Sequence, residues 1–146
     1  MAKDRFKLPM AVFMVLIDGN KLLSIKRVNT GLRDGLYSVP AGGLEDGEDL
    51  LSAAIREAKE EICVDIRRED VRLGSVEHCK IDGENWINFV FFTSKWQGTP
   101  QIGEPHKHGA LTWFDKDNLP EDMIDYVAKS IRNYDSGVMY DQVGWM

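Results

Sequence analysis

The sequence of 146 residues has two cysteines, five prolines and no long apolar run. Cys63 and Cys79 are too few for a disulfide scaffold and form no C-x-x-C pair, so we expect two reduced thiols that pack as small apolar side chains. The apolar stretch at residues 11–17 is far too short to cross a bilayer. No signal-peptide core follows the charged N-terminus. These absences predict a cytoplasmic protein without a membrane partner.

Basic residues are also in deficit. The 18 lysines and arginines are outnumbered by 24 aspartates and glutamates, which gives a net charge of −6. Sequence-independent binding of DNA or RNA depends on basic residues that neutralise phosphates, so no nucleic-acid partner is expected. The acidic residues are unevenly distributed, because residues 45–61 contain seven carboxylates and two basic residues. Such a cluster either repels itself in water or holds cations.

Hydrophobic periodicity predicts a mixed β-sheet between α-helices, an α/β or α+β architecture. Strands are expected over residues 10–17, 21–27, 36–39, 71–79, 86–96 and 110–114, and a loop over the Gly-rich residues 41–47. Helices are expected over residues 49–62 and after Pro120. Residues 1–146 are expected to form one domain. Its tail, 135–146, packs on this body or on a second copy of the chain, which leaves a homodimer open.

Three glutamates of the first predicted helix, Glu57, Glu60 and Glu61, recur on adjacent turns of one side. The apolar stripe lies elsewhere, so these side chains are expected to point away from the core. Like charges this close raise one another's pKa values, and Arg56 does not balance three of them. A divalent cation such as Mg²⁺ would do so. The alternative is a solvated glutamate-rich face on an unrelated α/β domain.

A Gly-rich turn precedes this helix, and its glycines allow the backbone to approach a ligand closely. Glu48 lies eight residues before Arg56, where it can fold back, pair with the guanidinium and hold the turn against the helix. The turn, the acidic helix and the ion pair together predict a site for a metal ion and a pyrophosphate.

These residues resemble the Nudix box, G-x5-E-x7-R-E-U-x-E-E-x-G-U, in which U is a bulky aliphatic residue. The matching positions are Gly42, Glu48, Arg56, Glu57, Glu60, Glu61 and Val64. Two positions differ: Ala58 is small, and Cys63 replaces the second glycine, which normally ends the helix in a left-handed conformation. The cysteine is expected to cost on the order of 1 kcal/mol there, or to end the helix differently.

The resemblance extends over roughly residues 10–132 and implies a Nudix hydrolase with the Nudix fold. It implies hydrolysis, dependent on Mg²⁺ or Mn²⁺, of a phosphoanhydride bond in a nucleoside diphosphate linked to another moiety. The implied metal ligands are Ala41 (through its carbonyl), Glu57, Glu60, Glu61 and Glu104. Glu57 or Glu104 is the expected base, while Arg56, Gly42 and Glu48 are expected to hold the helix and loop in place. Arg27 and Lys26 are candidate phosphate contacts, with a solvated strand end as the alternative, and the resemblance adds Asp115 and Asn118 as substrate contacts.

The expected substrate is a nucleoside triphosphate, hydrolysed to a monophosphate and pyrophosphate, because the short chain has no added domain for a second large moiety. An ADP-sugar or another nucleotide derivative is the alternative. An alternative of another class is a catalytically silent nucleotide sensor, which the complete set of box acids argues against. His106 and His108 form an H-x-H pair, but no third nitrogen or sulfur ligand is evident beside them, so no metal role is expected.

Overall fold

A computed structural model describes residues 4–145, so residues 1–3 and 146 of the expected domain lie outside the described residues. The strands are β1 (Met10–Asp18), β2 (Lys21–Arg27), β3 (Tyr37–Ser38), β4 (Ala41–Gly43), β5 (Val71–Ile81), β6 (Glu84–Thr93), β7 (His108–Asp115) and β8 (Tyr140–Val143). The helices are α1 (Leu50–Ile62) and α2 (Asp125–Ser136), and a 3-10 turn, Arg68–Asp70, precedes β5. Neither α1 nor α2 has the length and apolar character that a membrane span requires.

The sheet is mixed, with the strand order β3-β2-β1-β6-β5-β8. β1 runs parallel to β6 along one edge, and its other edge pairs antiparallel with both β2 and β4. β7 pairs with β2, and β8 runs parallel to β5. The predicted mixed sheet is therefore confirmed. The tail packs on the body of its own chain, since β8 extends the sheet.

The side chains of β1 alternate between two hydrophobic cores, one on each face of the sheet. Val12, Met14 and Leu16 pack with α1, whereas Phe13, Val15 and Ile17 pack with α2. A strand covered on both faces needs apolar residues at nearly every position, which explains the unbroken apolar run of β1. The predicted arrangement of a sheet between helices is confirmed.

Both ends of α1 are defined by local contacts. The Asp49 carboxylate accepts a hydrogen bond from the Ser52 amide at 2.9 Å and caps the N-terminus. Cys63 ends the helix with a left-handed backbone, at φ 62°, and its N–H donates to the Lys59 carbonyl at 3.1 Å. Of the two outcomes expected for Cys63, the structure has the first: the helix ends as a glycine would end it, and the cysteine adopts a left-handed conformation that is unfavourable for its side chain.

Several boundaries differ from the prediction: β6 covers Glu84–Thr93 where residues 86–96 were expected, and β8 forms in the tail, for which no strand was predicted. Residues 41–43 form a strand instead of a loop, because Ala41 pairs with Phe13 and so adds β4 to the sheet. Helix α2 begins at Asp125, later than expected from Pro120, whose carbonyl accepts a hydrogen bond from the Met123 amide in a preceding turn. Strand pairing and this turn involve contacts that hydrophobic periodicity does not detect.

Strand β5 carries a buried carboxyl group outside the predicted site. Glu77 is 0% exposed, and its Oε1 accepts a hydrogen bond from the Asn88 side-chain amide at 3.3 Å. Its Oε2 has no hydrogen-bond partner among the described residues. Burial raises the pKa of Glu77 from its ordinary value near 4.5 to about 7. Burial therefore favours the protonated form of the Glu77 side chain over the ionised form.

This raised pKa predicts that stability falls as the pH rises. Between about pH 4.5 and 7 the folded chain keeps a proton that the unfolded chain releases, so up to about 3 kcal/mol of unfolding free energy is lost across that window. Glu77→Gln, which mimics the protonated form, should raise the unfolding free energy by about 2–3 kcal/mol at pH 8 and change it little at pH 4.5. Urea denaturation at both pH values measures this. Glu84→Gln, at an exposed position of β6, is the control. If Glu77→Gln changed the unfolding free energy equally at both pH values, the raised pKa of Glu77 would be contradicted.

Candidate active site

The loop before α1 is held to the helix by Arg56. Its guanidinium forms a two-point pair with the Glu48 carboxylate, with Nη2 2.7 Å from Oε1 and Nε 3.0 Å from Oε2. The hydrogen bond to Glu48 raises the pKa of Arg56, and the same contact lowers the pKa of Glu48. Arg56 Nη1 also donates to Glu57 at 2.9 Å. The structure thus places Glu48 where its spacing from Arg56 predicted.

Two carboxylates of α1 lie directly against β4. Glu61 Oε2 accepts a hydrogen bond from the Ala41 backbone amide at 2.8 Å. A Cβ atom at Gly42 would overlap with the carboxyl group of Glu57. Only glycine leaves room for that approach, which gives Gly42 of the box a steric role at the site.

Glu61 does not point away from the core as predicted, because it is only 6% exposed. Burial, opposed by the Ala41 amide, raises the pKa of Glu61 to about 8. Burial, and then the charge of Glu61, raise the pKa of Glu57 to about 7. Two crowded carboxyl groups without enough positive charge are stabilised in their ionised form by a cation between them.

The loop before β7 brings a third carboxylate to this place. The Gly103 amide donates to the Glu61 carbonyl at 2.9 Å, and a Cβ at Gly103 would overlap with the Glu60 carbonyl. The loop therefore docks on the C-terminal end of α1, and Glu104 follows immediately. Glu104, predicted from the resemblance, lies with Glu61 and His108 in a group whose ligand atoms are all within 4.8 Å of one another.

His108 is a member of this group that sequence reasoning did not select. It is the first residue of β7, is 5% exposed, and its Nε2 lies 3.2 Å from Glu61 Oε1. Burial lowers the pKa of His108. The H-x-H pattern was the only signal in the sequence, and it did not distinguish His108 from the exposed His106.

These residues border a cleft of about 530 Å³, whose walls include Arg27, Gly42, Glu57, Glu61, Glu104 and His108.

Four other residues that the sequence suggested for the metal or the substrate do not line this cleft. Glu60 is 47% exposed and pairs with Arg56 at 3.3 Å, and the Lys26 ammonium lies 5.6 Å from the centre of the Tyr37 ring. Asp115 is the last residue of β7, and His108 is the first. The eight-residue strand separates the two by roughly 23 Å. Asn118 follows β7 at the Asp115 end.

The donor set of the cleft fits a hard divalent cation. Glu57, Glu61 and Glu104 offer carboxylate oxygens beside the backbone of Ala41, and oxygen donors are those that Mg²⁺ and Mn²⁺ prefer. Gly42 leaves space where a side chain would displace Glu57. The residues present therefore fit the metal that the box implies.

Residues 7–134 match the sequence model of the NUDIX domain. The chain belongs to the Nudix family. It is 32% identical to an ADP-ribose pyrophosphatase of Methanocaldococcus jannaschii over 82% of this chain and 72% of the relative. It is 33% identical to the mouse 8-oxo-dGDP phosphatase NUDT18 over 76% of this chain, which spans 32% of that longer relative. This Nudix chain is thus a pyrophosphohydrolase that acts on acid anhydrides.

Solved structures of the family share the fold. A MutT Nudix hydrolase of Burkholderia pseudomallei superposes with a TM-score of 0.79 at 26% identity, covering 87% of this chain and 98% of that one. A Nudix hydrolase of Nitrosomonas europaea superposes with a TM-score of 0.77 at 23% identity, covering 92% and 93%. The Nudix fold predicted from the box is therefore confirmed.

The contact between Gly42 and Glu57 generates a prediction. Gly42→Ala should displace the Glu57 carboxylate and weaken Mg²⁺ or Mn²⁺ binding by about tenfold or more, since shifts of supporting groups commonly cost that much in metal affinity. Isothermal titration calorimetry with each ion measures the effect. Gly43→Ala is the matched control, because a Cβ there meets nothing within 4 Å. Equal metal affinity in the two variants would show that Glu57 is not held against Gly42.

Proposed function

We propose that this chain hydrolyses a nucleoside triphosphate to a monophosphate and pyrophosphate in a reaction that depends on Mg²⁺, or on Mn²⁺ in its place. The supporting observation is the convergence of Glu57, Glu61 and Glu104 on one cleft whose wall also contains the basic residues Arg27 and Lys107. Carboxylates that hold a cation and basic groups beside them form the environment that a polyphosphate requires.

Each group of the cleft has a part in this chemistry. The cation, when bound, neutralises phosphate charge and lowers the pKa of water. Glu61 would hold the cation together with Glu57 and Glu104, and Glu57 or Glu104 would take the proton of the attacking water. Arg27 binds the outer phosphates. Its guanidinium is oriented by hydrogen bonds to the Leu32 carbonyl at 3.0 Å and the Thr30 hydroxyl at 3.3 Å.

A second cleft supports a nucleoside as the other end of the substrate. It measures about 510 Å³ and is lined by the rings of Phe13, Trp86 and Tyr126. Tyr126 meets Trp86 edge to face at a centroid distance of 5.6 Å, and the Arg33 guanidinium lies 5.3 Å from the centre of the Tyr126 ring. Aromatic faces stack on nucleobases, with about 1–3 kcal/mol for each base.

The two clefts are close enough for one nucleotide. Gly42 borders the acidic cleft and Gly43 borders the aromatic cleft, and consecutive Cα atoms are about 3.8 Å apart. Among the described residues no strand pairs with the edge of β4 away from β1, where the Ala41 amide instead donates to Glu61. The loop between β2 and β3 borders both clefts, through Thr30 on one side and Arg33 on the other. A nucleotide can therefore extend past the edge of β4.

The substrate is tested by a screen with and without Mg²⁺. We expect nucleoside triphosphates to release one pyrophosphate for each monophosphate, and only with the cation. ADP-ribose and 8-oxo-dGDP, for which the two relatives are named, test the alternative of another nucleotide derivative. Nucleotide binding without hydrolysis of any compound would favour the sensor and overturn the proposal.

Variants test the assigned groups in the same assay. Glu61→Gln should lower kcat/KM by about 10² or more, because it removes charge stabilisation at the reacting phosphate. Glu121→Gln, at an exposed position before α2, is the control and should retain the parent rate. Glu60→Gln decides whether this exposed glutamate belongs to the metal ligands, since a parent-like rate would remove it from the set. A parent-like rate for Glu61→Gln would contradict the metal site itself.

The aromatic cleft gives a separate prediction. Tyr126→Leu should raise KM for the nucleotide by about 5- to 150-fold, which corresponds to the loss of one stacking contact, with little change in kcat. Trp145→Leu is the control, because this indole lies against His78 on the outer strands, where its Nε1 donates to the His78 carbonyl at 3.0 Å. An unchanged KM in Tyr126→Leu would place the nucleoside elsewhere.

A further inference from the structure

His108 lies outside the Nudix box, yet its imidazole borders the acidic cleft. It belongs to the group formed with Glu61 and Glu104, in which the ligand atoms are all within 4.8 Å of one another. The ring is almost completely buried, and its Nδ1 has no hydrogen-bond partner among the described residues. The other ring nitrogen, Nε2, is the one that faces the Glu61 carboxylate, and in a neutral imidazole with its proton on Nδ1 the lone pair of Nε2 can bind a ligand.

The backbone determines this position. The amides of Lys107 and His108 both donate to the Glu104 carbonyl, at 2.9 and 3.1 Å, so a single turn brings residues 104 and 108 to the same side. His108 then pairs with Arg27 as β7 joins β2, at a β-bulge that follows Lys26. Two independent constraints, a turn and a strand pairing, thus direct the imidazole towards Glu61.

We propose that His108 supplies a nitrogen ligand to the cation held by Glu61 and Glu104, and that this site therefore prefers Mn²⁺ or another transition-metal ion to Mg²⁺. Two ligand atoms at right angles around one ion, each at about 2.1 Å from it, are about 3.0 Å apart. The distance of 3.2 Å between His108 Nε2 and Glu61 Oε1 is close to that value. Imidazole nitrogen suits transition metals, whereas Mg²⁺ favours oxygen donors.

This inference rests on the proposed function for the presence of a cation in the cleft, but not for the substrate. The competing role for His108 is that of a positioning residue, whose Nε2–H donates to Glu61 without touching the metal. The distance of 3.2 Å between Nε2 and Glu61 Oε1 is compatible with both roles. A direct observation of the metal–nitrogen bond therefore distinguishes them.

The test uses the full chain loaded with one equivalent of Mn²⁺ and pulsed electron paramagnetic resonance. We expect electron spin echo modulation from a directly bound ¹⁴N, replaced by ¹⁵N modulation when histidine alone is isotopically labelled. His108→Gln should abolish the signal. His106→Gln, which alters an exposed histidine of the same loop, should retain it. Absence of histidine nitrogen modulation in the unsubstituted chain would overturn the proposal, and this result needs no variant to fold.

Calorimetry supplies a second readout. His108→Gln should weaken Mn²⁺ binding by about tenfold or more and Mg²⁺ binding by a smaller factor. An equal loss for both ions would show that His108 only positions Glu61, and would overturn the proposal. Nitrogen modulation in a chain that hydrolyses no nucleotide would overturn the proposed function and leave this inference standing. Hydrolysis of a nucleoside triphosphate without nitrogen modulation would support the proposed function and overturn the assignment of His108 as a metal ligand.

Discussion

The pairing of Arg56 with Glu48 is the contact on which the geometry of the acidic cleft depends. A two-point bond between a guanidinium and a carboxylate has a defined direction as well as energy, so it orients the loop before α1 relative to the helix. Because the same arginine also holds Glu57, it connects the loop to the proposed site. The charged guanidinium is favoured by its surroundings, since its pKa is raised by the hydrogen bond to Glu48.

Among residues 4–145, burial raises the pKa of carboxyl groups at two places, and the two places differ in access. Burial raises the pKa values of Glu57 and Glu61 in an open cleft with a third carboxylate nearby. Burial raises the pKa of Glu77 as well, but this side chain is closed off and hydrogen-bonded to Asn88. Ionisation is costly at both. Only the open cleft admits a cation that offsets the cost, so a raised pKa alone does not identify a site.

In the proposed complex, the two clefts bind different parts of the nucleotide. The acidic cleft takes Gly42, Glu57 and Glu61 from the box, and the end of β2, the loop after it and the loop before β7 supply most of its other walls. The aromatic cleft is assembled from β1, β6, α2 and the loop between β2 and β3. Its rings are held by contacts outside the box, such as the bond of 2.6 Å from the Trp86 indole to Asn88. Substrate choice can therefore vary while the hydrolytic site is retained.

Local spacing was sufficient for the helix α1 and the pairing of Glu48 with Arg56, because each rests on contacts within about two turns of the chain. Strand β4, the buried position of Glu61 and the place of His108 were not predictable in this way. Each depends on contacts between distant segments, such as Ala41 with Glu61 and Arg27 with His108. Such contacts follow from strand register and loop docking, and no periodic pattern within a single segment contains that information.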